Sequence, residues 1–385
     1  MHGREGTLEA AEVRADGVLV RDGGVEYVLG WDRVAGVEGP LGAQAAPFRD
    51  LAMLAWRART RLERGDAVAA EPLYEELFDR LPETGGATAL SICEGLLRCR
   101  LWRGALASAL SPWLQWVALA GDASMGGVPA SGSRDDLRSP SPGEVAARIW
   151  PMALLPVIDA QTGLVVSLPP VWVPGPSVRA LAAGRDPLAA VSGDAPGAER
   201  ARVLADLYMA AARFEGGQSV VVPVPSQTLL DTDPGVALVA DLVLARVGDE
   251  AQRERARASL RARLAIEDLP EWQEAWCRAG IGRSLLVEAD GERIMQGVVE
   301  LMHLPARFGS EQAYLTGIAL AESAAALRDL GDVGGGETLE QLLGQSYAGH
   351  PALEWTELER IRTTPAAPPG ASSASQPSVG VTPRP

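Results

Sequence analysis

Apolar and polar residues alternate with a period of two near the start of the chain. Three short alternating runs are separated by Asp-Gly turns: 11–14, 18–21 and 25–29. Aspartate followed by glycine supplies the positive φ angle that a tight hairpin turn needs. We therefore predict an antiparallel β-meander over residues 7–38, with a fourth strand that starts at Trp31. So small a sheet needs a second surface, and the pattern leaves open whether the meander packs against the following helices or closes into a small barrel.

From about residue 46 the apolar residues recur at the spacing of an α-helix, and short turns with glycine divide the helices into pairs. A single helix is predicted at 198–214, and the predicted hairpins are 47–64 with a helix that ends near 81, 87–102 with 104–120, 235–247 with 249–265, 270–288 with 291–303, and 311–330 with 337–347. Each helix has one apolar stripe, so a hairpin must stack on a neighbour to bury it. We expect a mainly α protein, a solenoid of helical hairpins that follows the small N-terminal β-meander.

Three stretches interrupt this helical pattern. Residues 121–143 are rich in Gly, Ser and Pro and predict a flexible linker. Residues 153–176 hold too many prolines for a helix interior or a central strand, and predict an extended, partly buried segment that caps or braces the solenoid. The run at 219–225 has the same character, and the tail from about 363 predicts disorder. The chain divides into 7–38 (β-meander), 46–120 (helical hairpins), 121–143 (linker), 144–234 (mixed helical and proline-rich), 235–362 (helical hairpins) and 363–385 (disordered tail).

The first hairpin carries the residue pattern of a two-helix repeat. A small residue stands in the first helix, a glycine at the turn, an alanine and an aromatic residue in the second helix, and a proline at the end: Ala58, Gly65, Ala70, Tyr74 and Pro82. The pattern resembles the tetratricopeptide repeat family, whose unit has about 34 residues. Ser284 and Ala324 take the small-residue position in two later hairpins. The resemblance implies an α-solenoid with a concave face that binds a protein segment, although the Lys and Asn of the family's usual carboxylate clamp are absent.

The composition removes several kinds of chemistry. The chain of 385 residues has no lysine and no asparagine, so its 35 basic residues are all arginine. Without lysine there is no Schiff base and no phosphate-loop lysine, and without asparagine there is no N-glycosylation site. The net charge of −15 disfavours binding to nucleic acid or to an anionic membrane, and no apolar run is long enough for a membrane span. Arg253, Arg257 and Arg261 recur every four residues and predict a solvated helix face with ion pairs.

The three cysteines, Cys93, Cys99 and Cys277, lack the close spacing of a disulfide framework or a zinc site. We expect them to act as small apolar side chains in a reducing compartment, which favours the cytoplasm. The first residues are polar and give no export signal. The alternative of a start site further upstream, with an export signal before it, stays open.

Few residues suggest catalysis. We expect His303 to cap the end of a helix just before Pro305, and His350 to be a turn residue. Asp231 and Asp233 are followed by Pro-Gly, so they fit a turn and a helix N-cap better than a cation site. We therefore predict no catalytic residue, no metal and no cofactor.

Two further patterns concern packing and binding. Gly280 and Gly282 lie inside a helical pattern without the preceding strand of a dinucleotide-binding loop, and predict close helix packing. Among ten tryptophans, Trp113 and Trp116 are the candidates for lining a partner-binding groove. The sequence predicts a non-enzymatic interaction or assembly scaffold that binds another protein. Two alternatives stay open: a hydrolase or lyase that uses carboxylates and arginine in a pocket between hairpins, and a structural subunit of a larger complex.

Overall fold

The computed structural model describes residues 8–22, 24–81, 85–121, 158–159, 161–184, 187–188, 195 and 197–355. This part of the chain is mainly helical and begins with a small antiparallel sheet, as the sequence predicts. The strands are β1 (Glu9–Arg14), β2 (Gly17–Asp22) and β3 (Val25–Leu29). The helices are α1 (Gly42–Ala45), α2 (Arg49–Glu63), α3 (Ala67–Phe78), α4 (Ala87–Trp102), α5 (Leu106–Ala120), α6 (Pro176–Ala183), α7 (Ala198–Glu215), α8 (Gln227–Thr232), α9 (Pro234–Val247), α10 (Glu250–Leu264), α11 (Glu271–Leu285), α12 (Gly291–Arg307), α13 (Ala313–Asp329) and α14 (Val333–Ser346).

The strands pair in the order β1-β2-β3, and Gly17 builds the first turn. Its φ of +151° and the backbone of β3, which lies 2.3 Å from the position of a Cβ, both require glycine there. The sheet is open within the described residues. It buries Val18 and Val20 together with Trp31 and with Ala52 of α2. Of the two arrangements that the sequence leaves open, the structure therefore has the sheet packed against helices.

The predicted fourth strand is wrong, because Trp31 begins a short 3-10 helix that ends at Arg33. The Trp31 indole N–H donates to the Ala15 carbonyl oxygen at 3.1 Å, and its backbone N–H donates to Thr88 Oγ1 at 2.8 Å, at the start of α4. The ring stacks on Phe48 with centroids 4.9 Å apart. These contacts draw the chain out of the sheet, and the large ring fills the space between the sheet and the helices.

The predicted helical hairpins are confirmed, and they stack on one another. Within pairs, α2 packs on α3, α4 on α5, α9 on α10, α11 on α12 and α13 on α14, while α3, α10 and α12 also contact the next pair. The helix α9 further contacts α11, and α11 contacts α13, as in a solenoid. In the first hairpin, Gly65 turns the chain with φ +82°, and Ala58 and Ala70 are fully buried. The ring of Tyr74 lies where a Cβ on Gly95 of α4 would stand.

Glycines bring α11 close to the helices on both sides of it, as predicted. A Cβ on Gly280 would lie 2.6 Å from Leu242 of α9, and one on Gly282 would lie 2.6 Å from Leu301 of α12. Gly297 of α12 faces Gly282, whose carbonyl oxygen is 2.9 Å from the position of a Cβ. A larger side chain at any of these positions would force the helices apart, because the interior is close-packed.

The proline-rich region that the structure describes, residues 161–174, is called here the inner segment. It has no helix, and Val165 forms one isolated antiparallel bridge with Ile158. The prediction of partial burial falls short, since Leu164 and Trp172 are almost completely buried in the core that extends from α4 to the last helices. The inner segment is thus part of the packing between helices and not a surface strap.

Some predictions lie outside the described residues: Pro82, the linker from residue 122, the start of the mixed helical and proline-rich region at 144–157, and the tail from 363. Within the described ranges, no helix combines the length and the apolar character needed to cross a membrane.

Candidate functional site

The inner segment is held by side chains that donate hydrogen bonds to its backbone carbonyl groups. Arg200 of α7 donates to the carbonyl oxygen of Thr162 at 2.6 Å, and the indole N–H of Trp113 in α5 donates to that of Gly163 at 3.1 Å. Asp233 at the start of α9 forms an ion pair with Arg200 and so positions its guanidinium group. Buried backbone outside a helix or sheet needs such partners, because an unsatisfied buried carbonyl is costly.

The other half of the inner segment contacts aromatic donors. The Tyr208 hydroxyl donates to the Leu168 carbonyl oxygen at 2.5 Å, and the Trp172 indole N–H donates to the Tyr208 carbonyl oxygen at 3.3 Å. The Tyr208 ring lies between Trp113 and Trp172, at centroid distances of 5.1 Å and 6.1 Å. Burial raises the pKa of Tyr208 well above its usual value, so the hydroxyl keeps its proton and remains a donor. Arg283 of α11 donates to the Trp172 carbonyl oxygen at 3.3 Å.

Arg283 also belongs to a buried cluster of two arginines and two glutamates that joins α7, α9, α11 and α13. Its guanidinium lies 2.7 to 2.9 Å from the carboxylate of Glu322 and 2.8 Å from that of Glu215, which Arg246 contacts at 3.0 Å. Burial by itself would lower the pKa of Arg283, but the charges of Glu322 and Glu215 outweigh it and hold the pKa above its usual value. Burial would raise the pKa of Glu322, yet Arg283 and Arg246 keep it below its usual value. All of these interactions favour the charged forms.

The centre of this cluster is closed to solvent, because Arg283 is only 2% exposed and Glu322 only 6%, while the Arg246 side chain at its edge is 18% exposed. Its charged groups form ion pairs with one another, and Arg283 also donates to the backbone of the inner segment. The cluster therefore links four helices to the inner segment. Sequence reasoning missed it. The available signal was a lone charge in a run of small and apolar residues, AGIGRSLL around Arg283 and ALAESAAAL around Glu322, since an unpaired charge is hardly ever buried.

The two tryptophans predicted to line a partner-binding groove lie in the core. Trp113 is completely buried, and Trp116 is 8% exposed. Both belong to α5, which packs against α4, α6 and α7. Neither ring faces an open groove among the described residues, so Trp113 serves the inner segment and not an external partner.

The predicted helix cap at Asp233 is confirmed, whereas Asp231 lies inside α8 and not in a turn. Asp233 accepts hydrogen bonds from two backbone N–H groups at the start of α9, both at 3.0 Å, and Asp231 accepts one from Gln227 at 2.8 Å. The glycine that follows has a further role, because a Cβ on Gly235 would lie 2.3 Å from the carbonyl oxygen of Thr162. The residues that cap α9 are therefore also the residues against which the start of the inner segment packs.

His350 is more than the turn residue that the sequence predicts. The backbone N–H of Ala352 donates to its Nδ1 at 3.0 Å, and its Nε2 lies 3.0 Å from the carbonyl oxygen of Tyr314. Because Nδ1 accepts, the ring is neutral and donates through Nε2. Burial lowers the pKa of His350, and the ring fills the space beside Gly317. His350 thus fastens the C-terminal turn to α13.

Two other predictions are corrected by the structure. The helix α12 continues to Arg307, so His303 lies inside it and does not cap its end; a proline in the last turn removes only one helical hydrogen bond. Arg257 is buried and not solvated, because α11 packs over it. Its guanidinium donates to Ser284 Oγ at 2.9 Å and to Glu288 at 2.6 Å.

An open groove of about 720 Å³ lies between α10 and α12, with α11 as its floor. Sequence reasoning did not identify it. The apolar lining consists of Leu264, Ile281, Leu285, Met295 and Val299, and the polar lining of Arg261, Arg278, Glu292, Gln296 and Glu300. The two floor residues of α11 are buried, whereas the two apolar residues of α12 are exposed. We call this site the α10–α12 groove.

The polar residues of the groove differ in their freedom to bind. Arg278 is engaged, because it donates to Glu274 at 2.9 Å and to Glu300 at 2.8 Å. Arg261 is about half exposed and has a single long contact, 4.0 Å to the exposed Glu254. An exposed ion pair of this length contributes little, so the guanidinium can donate to a bound chain instead.

The three thiols are poor nucleophiles because they are buried. The three cysteines are free and buried, and burial raises the pKa of Cys99 and of Cys277 to about 12, so both stay protonated at neutral pH. Across the described ranges, no three His, Cys, Asp or Glu side chains are grouped so that they could hold a metal ion.

Comparison of the chain with protein-family models, with curated proteins and with solved structures gives no match. Function therefore has to be inferred from the groove and from the buried contacts.

Proposed function

We propose that this protein is a non-enzymatic helical-repeat scaffold that binds a segment of another protein in the α10–α12 groove. The observation that supports this proposal is the groove itself, which combines a buried apolar floor on α11 with an exposed apolar wall on α12. Its volume of about 720 Å³ lies within the roughly 300–1,000 Å³ that is usual for binding pockets.

The lining of the groove explains how a chain segment would be held. Met295 and Val299 stand one turn apart on α12, and Val299 is 59% exposed. Covering such a side chain contributes about 1.5–3 kcal/mol. Ile281 and Leu285 are already packed in the floor, so they offer apolar contact without further ordering. The Arg261 guanidinium at the border supplies donors for backbone carbonyl groups.

The tetratricopeptide resemblance implies a peptide-binding surface on the stacked helices, but the inner segment already lies against such a surface. A partner would therefore bind elsewhere. The backbone of the inner segment contacts side chains from α5, α7 and α11, which include successive helices of the stack. We infer that this chain fills with its own residues the surface that a repeat protein of that family would offer to a peptide. Membership of that family remains part of the proposal.

The hydrolase or lyase alternative has less support. A general acid or base must reach a substrate in an accessible pocket. The carboxylates and arginines that converge between hairpins, around Arg283 and Glu322, are buried and paired with one another. The free and buried cysteines fit a reducing compartment, and we propose a cytoplasmic location on that basis.

The test is capture of partners from an extract of the source organism with the full chain and two variants. Val299→Glu places a charge in the apolar wall of the groove. Val68→Glu, the matched control, changes a residue that is 67% exposed on α3, outside the groove. We expect a companion protein that the unmodified chain and Val68→Glu recover equally, and that Val299→Glu loses by at least about tenfold. Equal recovery by all three chains, or recovery of no companion, would contradict the proposal.

A further inference from the structure

A second proline-containing segment, residues 219–225, lies between α7 and α8 and is called here the outer segment. Val221 is 94% exposed, more than any other large apolar side chain among the described residues, and Val224 is 61% exposed. Val222 is buried in the central core. Val221 and Val222 thus point in opposite directions, and Val224, three residues after Val221, is exposed again, which fits the three-residue period of a polyproline II conformation. Val222 and the partly buried Val220 anchor the segment, while Val221 and Val224 stand in solvent.

The backbone of the outer segment is constrained by proline and is not hydrogen-bonded to the described residues. Pro223 and Pro225 fix their own φ angles and restrict Val222 and Val224 to extended conformations. Within the described chain, no group forms a hydrogen bond with the backbone of this segment. A segment that is already extended loses little conformational entropy when it binds. Its carbonyl groups and its two exposed valines are therefore ready for a complementary surface.

The same molecule shows which surface complements such a segment. The inner segment also consists largely of valine, leucine and proline, and its side chains pack in an apolar core while arginine and aromatic side chains donate to its carbonyl groups. The α10–α12 groove offers this combination at an open site. It has an apolar floor and walls, and Arg261 and Gln296 stand at its border as donors.

We propose that the α10–α12 groove binds the outer segment of a second copy of this chain. Val221 and Val224 enter the apolar part of the groove beside Val299, and Arg261 and Gln296 donate to carbonyl groups of the segment. The inference rests on the proposed function, because it names the partner for the same groove. It makes the protein a self-assembling scaffold.

The charge of the chain predicts how this association depends on salt. Each copy carries a net charge of −15, so two copies repel each other at low ionic strength. The proposed contact is mainly apolar and contains no ion pair between copies. Salt screens the repulsion and leaves the apolar contact intact, so the dissociation constant falls as salt is raised. An association held by ion pairs would weaken instead.

The test is light scattering of the full chain after size exclusion, over a wide range of protein and salt concentrations. The average mass rises with concentration from that of one chain toward that of two or more. Val221→Asp and Val299→Glu each weaken the association at least about tenfold, because each places a charge in the apolar contact. Val68→Asp on α3 leaves it unchanged. Circular dichroism confirms that the variants are folded.

A single-copy mass at every concentration overturns the self-association, and so does a Val221→Asp variant that associates like the unmodified chain. Both results leave the proposed function intact if a different protein is captured by the unmodified chain and lost by Val299→Glu. A failed capture together with confirmed self-association contradicts the binding of a different protein and leaves the second copy as the partner of the groove.

A crosslink gives a second measurement that does not depend on weakened binding. A Val221→Cys chain is mixed with a Val299→Cys chain and treated with a short bismaleimide; the native cysteines are buried and their raised pKa values keep them unreactive. A covalent dimer forms in the mixture and in neither variant alone. No dimer, or an equal yield when Val68→Cys replaces Val221→Cys, overturns the proposal.

Discussion

The inner and outer segments are similar in composition and opposite in environment. Both are short, rich in valine and proline, and without helix or strand pairing along most of their length. In the inner segment Trp172 is 1% exposed, whereas Val221 of the outer segment is the most exposed large apolar residue described. Apolar composition alone therefore does not decide which segment is buried.

The difference lies in the partners available to the backbone. The carbonyl groups of Thr162, Gly163, Leu168 and Trp172 each accept a hydrogen bond from a side chain of a helix. The outer segment receives none within the described chain. Irregular backbone enters a core only where donors satisfy it, because the unsatisfied carbonyl would otherwise lose its bonds to water.

The largest effect is expected when the donor at the end of the inner segment is removed. Arg283→Met takes away the bond to the Trp172 carbonyl and leaves Glu322 and Glu215 with Arg246 as the one remaining positive charge of the cluster. Removing one partner of a buried ion pair costs about 3–5 kcal/mol of the free energy of unfolding. Urea unfolding followed by circular dichroism measures it.

The matched control for this change is Arg293→Met. Arg293 is exposed on α12, with a contact of 3.7 Å to Glu254. A surface change of this kind alters stability by no more than about 0.5 kcal/mol. Equal losses for the two variants would show that the buried cluster does not hold the inner segment.

A smaller loss is expected from Tyr208→Phe, which keeps the ring and removes only the hydroxyl that donates to Leu168. The buried carbonyl is then unsatisfied, at a cost of about 1–3 kcal/mol. Tyr27→Phe in β3 is the control, since the Tyr27 hydroxyl forms no hydrogen bond with described residues and its loss should change the melting temperature little. A Tyr208→Phe variant as stable as the unmodified chain would remove the reason given for the burial of the inner segment.

The pH dependence of stability tests the C-terminal turn that His350 fastens to α13. The Nε2 of His350 donates to the carbonyl oxygen of Tyr314 at 3.0 Å. Burial lowers the pKa of folded His350 below 6.5, so on acidification the unfolded chain binds its proton first. The contribution of His350 is complete above about pH 6.5 and declines as the pH falls further.

The measurement compares the unmodified chain with His350→Gln by urea unfolding across this pH range. The difference in their free energies of unfolding should be constant at neutral and alkaline pH and should shrink in acid. A difference that grows as the pH falls would mean that the charged imidazole is the stabilising form.

The smallest effect on stability is expected in the outer segment. Val221→Asp changes a side chain that touches little of its own chain, so the free energy of unfolding should move by no more than about 0.5 kcal/mol. Thermal unfolding of dilute protein measures it, because association between copies would add to stability. A large loss in dilute solution would mean that the outer segment, like the inner one, is part of the core.

Much of the fold could be predicted because its causes are local. The helix pairs follow from apolar residues at helical spacing, and their turns from glycines such as Gly65 and Gly331, which have positive φ angles. The cap of α9 by Asp233 likewise depends on neighbours in the sequence. The candidate site could not be predicted in the same way, because the α10–α12 groove is a space between three helices and not a property of any one of them.

The failed expectations share one cause, which is contact with distant residues. Trp31 leaves the sheet because its backbone N–H donates a hydrogen bond to Thr88 of α4 and not to a neighbouring strand. Arg257 is buried because Ser284 and Glu288 of the next hairpin accept hydrogen bonds from its guanidinium group. Trp113 faces the inner segment and not a partner, and its hydrogen bond to Gly163 spans 50 residues of sequence.

The sequence by itself determined the paired helices and their turns, since these depend on periodicity and on backbone angles within a few residues. It did not predict the short helices α6 and α8. Only the tertiary structure decided which of two similar proline-containing segments is buried and which is exposed. The decision depends on donors such as Arg283, which is 111 residues away from the Trp172 carbonyl that it binds. No local pattern records that distance, because the cost of burying a carbonyl group is set by the side chains that folding brings to it.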